Sequence, residues 1–158
     1  MILYLDSSAL VKRYVAEEGS EEVAAWSTEA EALATALVAR VEVPAALAKA
    51  QRMGVLTAGG FRRAIQTFAE DWPDLVHLPF TEALASRAAD LAVAHGLRGY
   101  DAVHLASALL LAELVDAPVA FAVFDPTLGK AARAEGLGVP SPSPSLRRRR
   151  AHAAPPAR

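Results

Sequence analysis

Two short apolar runs, ILYL at residues 2–5 and VAFAVF at residues 119–124, each stop at an aspartate, Asp6 and Asp125. Runs this short and this apolar suit strands buried on both faces, which is the habit of parallel sheets covered by helices. Between them the chain alternates. Helical periodicity is predicted over residues 9–15, 21–29, 36–53, 57–71, 81–95 and 102–114, with strands at 33–35 and 75–78. A last helix follows Asp125-Pro126 to residue 135, and Gly138-Val139 begins a final short strand. Gly54 and Gly96 stop two of the helices. Either Ser7 or Ser8 suits the cap of the first helix. This alternation predicts an α/β fold of three layers, with a central, mostly parallel sheet of about four to five strands flanked by helices.

Length and charge divide the chain into two parts. Its 158 residues suffice for one core, and residues 1–140 are expected to form it. Residues 141–158, SPSPSLRRRRAHAAPPAR, are rich in Pro, Ser and Arg and are read as a disordered tail. That tail carries five arginines and no acid, which leaves eleven basic and eighteen acidic side chains in the body. So acidic a body repels nucleic acid unless its acids gather where a cation neutralises them. Cysteine is absent, which removes disulfides, thiolate nucleophiles and cysteine-held zinc. The N-terminal apolar run is too short for a signal peptide, and the run at 102–114 is too short to span a bilayer. A cytoplasmic protein without membrane contact is the expectation.

In open parallel sheets, ligands bind outside the carboxyl ends of the strands. Asp6 and Asp125 both fall there. Singly, each is explained as a loop former or helix cap; two at equivalent ends of one sheet point to a site. Glu42 lies on or beside the apolar face of its helix, where an ionised carboxylate needs a partner. That partner is either a cation-binding site or one of Arg40, Lys49 and Arg98. Asp101 opens the most apolar helix and suits an N-cap. If the four acids converge, they cannot all stay ionised without cations, and a set of oxygen donors alone suits Mg²⁺ or Mn²⁺.

Four segments carry a family resemblance: YLDSSALVKRY, the helical VEVPAAL around Glu42, RGYDAVHLASAL, and FDPTL followed by AEGL. In order and spacing they resemble the successive motifs of PIN domains, most closely the VapC-type toxin branch, across nearly all of residues 1–140. The resemblance implies an endoribonuclease whose acidic quartet is Asp6, Glu42, Asp101 and Asp125. Asp6 and Asp101 would be the principal metal ligands, with Glu42 and Asp125 completing the cluster directly or through water, and Ser8 orienting Asp6. It implies Mg²⁺, for which Mn²⁺ substitutes, and hydrolysis leaving 5′-phosphate and 3′-hydroxyl ends. It also implies a VapB-like antitoxin as partner, and a homodimer.

Other residues carry less. His104, one helical turn after Asp101, reads as a satisfied, partly buried histidine. Trp26, Trp72 and Phe68 read as core or interface. Lys12, Arg13 and Arg98 are the body's candidates for phosphate contacts, and Arg147 to Arg150 for sequence-independent RNA binding. A haloacid-dehalogenase-like phosphatase needs a second aspartate where Ser8 stands, and a GxxxxGK[ST] loop is absent. A catalytically inert PIN-fold binding module is the remaining alternative.

Overall fold

The computed structural model describes residues 1–141. The expected tail, apart from Ser141, lies outside the described residues. Four strands, β1 (Ile2–Leu5), β2 (Ala32–Ala36), β3 (Val76–Leu78) and β4 (Val119–Ala122), form one parallel sheet in the order β3-β2-β1-β4. Among the described residues there are seven α-helices, α1 (Ser7–Val11), α2 (Ser20–Glu29), α3 (Ala39–Arg52), α4 (Ala58–Asp71), α5 (Glu82–His95), α6 (Gly99–Leu114) and α7 (Pro126–Ala134). The fifth strand expected at Gly138 is reduced to a single bridge between Gly138 and Ala120.

Side chains alternate across the sheet, so each strand serves two cores. Leu3, Leu5 and Ala122 pack with buried residues of α1 to α4, among them Leu10, Val23, Val43 and Phe68. Tyr4, Ala34 and Phe121 face the other way, onto Leu84 and Leu91 of α5, Leu105 of α6 and Leu128 of α7. Helices thus cover both faces, as the three-layer expectation required. The second core explains why α6 is so apolar: residues 102–109 are all buried.

Several boundaries differ from the sequence reading, each for a physical reason. The helix expected from residue 36 starts at Ala39, because Ala36 is held in register with Leu78 in the sheet. The strand expected to reach residue 124 ends at Ala122, where its partner β1 runs out at Leu5. Neither serine caps α1. Asp6 does so, its carboxylate accepting from the Ala9 amide at 2.7 Å, and both serines fall inside the helix. Asp101 likewise is not an N-cap: α6 begins two residues earlier, and Arg98 occupies the cap position.

Gly19 is a point of obligatory glycine. It stands at the cap of α2 with φ +94°, and a Cβ there would lie 2.5 Å from the Phe124 ring. Phe124 in turn stacks on Trp26 and carries the Lys12 ammonium over its ring.

A candidate active site at the carboxyl edge of the sheet

From β1 the chain first builds outward through β2 and β3, then returns to place β4 on the opposite side of β1. The strand order therefore reverses between β1 and β4, and a crevice opens at such a point. The carboxyl ends of these two strands are tied by a hydrogen bond from the Asp6 amide to the Ala122 carbonyl, 3.3 Å. Asp6 follows the end of one strand, and Asp125 lies three residues beyond the end of the other. Glu42 comes in on the first turn of α3 and Asp101 on the first turn of α6.

Asp6 is only 5% exposed. Ser8 Oγ lies 2.9 Å from both of its carboxylate oxygens. Burial pushes the Asp6 carboxyl above its ordinary value, and the charge of Asp101 pushes it the same way. The Ala9 amide, His104 and Ser8 oppose the rise. Asp101, half-buried, is raised by burial and then by the charges of Asp125 and Glu42, against Arg98 and His104. The acids therefore feel one another, and they repel. Asp125 is exposed and caps α7, accepting from the Leu128 amide at 2.8 Å.

Glu42 differs. Its Oε2 accepts from Ser7 Oγ at 2.6 Å and lies 2.9 Å from His104 Nε2. Burial alone would raise this carboxyl, but the hydrogen bonds from His104 and Ser7 outweigh it and hold it below the ordinary value. None of Arg40, Lys49 and Arg98, the partners weighed from sequence, makes this contact. His104 is itself buried at 2% exposure, its Nδ1 lying 3.0 Å from the Tyr4 hydroxyl. Burial keeps the Tyr4 phenol protonated far above its usual range, so its O–H can donate to Nδ1 while Nε2–H donates to Glu42. Sequence reasoning had treated His104 as a satisfied histidine, and it is one. The missed residues are Ser7 and Tyr4, which hold that satisfaction in place; neither has a local signal, because their partners lie 35 to 100 residues away.

Among the described residues, no three carboxylate or imidazole groups stand close enough to form a ready metal cage. The donor chemistry nevertheless fits Mg²⁺. That ion keeps several of its waters and is commonly held by one or two carboxylates together with substrate phosphate, so a closed protein cage is not required. Asp6 and Asp101, each raised by burial and by the charge of a neighbouring acid, are the pair that such an ion would relieve. The cationic side chains weighed from sequence divide. Lys12 is taken up by Glu17 at 2.8 Å and Arg13 by Asp71 at 3.3 Å, whereas Arg98 is exposed beside Asp101.

A groove of about 710 Å³ adjoins the acids. It is lined by alanines of α5 together with Glu42, Asp101, Arg98, Tyr100 and Phe80. A separate cleft lies between α1 and α2.

Comparison with known proteins agrees with this architecture. The PIN domain family profile matches residues 3–132. Ribonuclease VapC45 of Mycobacterium tuberculosis (strain CDC 1551 / Oshkosh) is 37% identical over 138 residues, covering 87% of this chain and 94% of the relative. Ribonuclease VapC49 of Mycobacterium tuberculosis (strain ATCC 25618 / H37Rv) matches to the same extent. Among solved structures, FitAcB from Neisseria gonorrhoeae superposes with a TM-score of 0.58 at 20% identity, over 88% of this chain and 96% of that one. VapBC2 from Rickettsia felis, solved bound to a DNA fragment from their promoter, gives 0.59 at 12% identity, over 89% and 98%. At these identities the two structures speak for the fold alone.

Proposed function

The chain belongs to the PIN domain family, and from that membership we propose that it is a VapC-type toxin, an endoribonuclease that hydrolyses RNA with Mg²⁺ held by Asp6 and Asp101. The observation that carries this reading is the meeting of these acids at the β1–β4 reversal, each raised by burial and by its neighbours' charge. The ribonuclease names of its two relatives, matched over most of their length, support the nuclease assignment.

When bound, Mg²⁺ supplies the positive charge that polarises a scissile phosphate and acidifies a water near neutral pH. The protein's own groups do the rest. Asp6 is held in one orientation by Ser8 and the Ala9 amide, so it binds without reorganisation. Asp101 holds the second position from the head of α6. Glu42, kept ionised by Ser7 and His104, accepts the proton of the attacking water or orients it. Asp125 adds charge at the outer edge. Water attacks in place of any side chain or the RNA 2′-hydroxyl and the 3′-oxygen leaves, so the products carry 5′-phosphate and 3′-hydroxyl ends. A VapB-like antitoxin would neutralise the site by covering it, and the chain would act as a homodimer.

The test is cleavage of a mixed cellular RNA pool by purified protein with Mg²⁺, with EDTA, and with Asp6→Asn. Cutting that needs metal, vanishes in the variant and leaves 5′-phosphates is expected. Cutting that survives EDTA or the substitution overturns the mechanism. No cutting and no Mg²⁺ binding would make the chain an inert PIN-fold binding module.

A further inference from the structure

Aromatic residues are few in this chain, and the large ones in the interior are spoken for. Trp26 stacks on Phe124, Phe68 packs between Tyr14 and Trp72, and Trp72 stacks on His77. Two aromatics stand apart. Phe80 is 50% exposed and Tyr100 61% exposed, and both line the groove that adjoins the acids. Exposed rings are costly ornaments on a surface unless something covers them.

The groove has three kinds of wall. Ala85, Ala89 and Ala92 of α5 line it with nothing larger than a methyl, an apolar stretch that shares the groove with Phe80 and Tyr100. Glu42 and Asp101 join it to the acidic site. Arg98 brings an exposed guanidinium to the same groove, in a body whose net charge is negative. The volume, about 710 Å³, is in the range of clefts that hold small organic groups. An apolar groove lined by exposed aromatic rings, with a cation for phosphate and carboxylates among its lining, has the groups that single-stranded nucleic acid requires: a base stacks while its backbone continues to the reacting centre.

We infer that the groove between α5 and the head of α6 holds one unpaired nucleobase of the RNA strand, stacked against Tyr100 and Phe80, with Arg98 on the adjoining phosphate. This rests on the ribonuclease reading above and adds to it the element that selects the cleavage site. Selection by stacking and shape requires that the nucleotide beside the cut can leave its neighbours.

The experiment uses the full chain carrying Asp6→Asn, so that binding is read without cleavage. Short single-stranded RNA oligomers, each with one abasic nucleotide moved stepwise along the strand, are titrated by fluorescence anisotropy. Loss of a stacked base should weaken binding about ten- to hundred-fold at one position. That position-specific loss should vanish when Tyr100→Ala or Phe80→Ala is added, and persist with Tyr100→Phe, which keeps the ring. In the active protein, the same alanine substitutions should raise KM and flatten the sequence preference of the cut ends while leaving kcat nearly unchanged. Both rings are exposed, and thermal unfolding midpoints of the variants verify that they fold. An abasic profile identical with and without Tyr100 and Phe80 overturns the inference. So does an unchanged profile accompanied by weakened binding of an antitoxin segment, which would make the groove a protein-docking surface. Cleavage without this coupling sinks the pocket alone, whereas coupling without cleavage sinks only the nuclease reading.

Discussion

His104 Nε2 stands 2.9 Å from Glu42 Oε2, a hydrogen bond joining two helices on opposite faces of the sheet across 62 residues of sequence. Burial alone would raise the Glu42 carboxyl, as it raises that of Asp6; the bonds from His104 and Ser7 together hold it down.

Removing the imidazole should therefore cost both stability and activity. His104→Ala leaves a cavity, an undercompensated Glu42 and a buried Tyr4 hydroxyl, for an expected loss of about 2–4 kcal/mol in denaturant unfolding. A double-mutant cycle with Glu42→Gln should return a coupling of about 0.5–3 kcal/mol. Strictly additive effects would mean that the contact is energetically idle.

Tyr4→Phe tests the far end of the same chain of bonds. The ring stays, packed 5.4 Å from Phe121, and only the hydroxyl facing His104 Nδ1 is lost. The expected cost is about 1–2 kcal/mol, because a buried nitrogen loses its partner. In the wild type, absorbance titration should find this phenol silent; a Tyr4 that titrates in the ordinary phenol range would contradict its burial.

Asp6 and Glu42 should respond to acid in opposite senses. Because burial raises the folded Asp6 value, the folded state binds more protons than the unfolded chain from the unfolded value near 3.8 up to that raised value. Through that window Asp6 makes metal-free stability fall as pH rises. Glu42, lowered when folded, contributes stability that is present above 4.5 and lost as pH falls through its folded value. Asp6→Asn retains an oxygen for the Ala9 amide, so it should remove the first dependence and spare the helix cap. Unfolding midpoints between about pH 3 and pH 7 test this; curves of the same shape in both proteins would refute it.

Divalent metal should stabilise the fold through the same pair of acids. At ten times its Kd, a bound ion adds about 1.4 kcal/mol, a Tm increase of about 3–6 °C. Asp6→Asn and Asp101→Asn should each abolish most of that increase. An undiminished shift in both variants would place the metal elsewhere.

Gly19→Ala is expected to damage the site from a distance. It forces a side chain into left-handed backbone and against the Phe124 ring, next to Asp125. The loss should be about 1–3 kcal/mol or more. If Phe124 yields by moving, cleavage should drop further than stability alone explains.

The sequence by itself determined the layers and the cast of acids. Short β-forming runs broken by aspartate, set among helical periods, are local signals, and they located all four strands of the sheet and the helices between them. They also brought Asp6 to the end of its strand, because residues that terminate a strand and accept a neighbouring amide act within three positions along the chain. Element ends were less legible: Ala36 and Ala122 take their state from strands distant in sequence, which no local pattern records. What only the tertiary structure decided is how the acids differ. Glu42 meets His104 rather than a nearby arginine, Asp6 is buried while Asp125 stays exposed, and the exposed rings border the acids, because each of these depends on how α3, α5 and α6 pack around the sheet. Periodicity fixes which face of a helix turns inward; the partner that face meets across the sheet is set by the strand order and the packing of distant elements, which carry no signature in neighbouring residues.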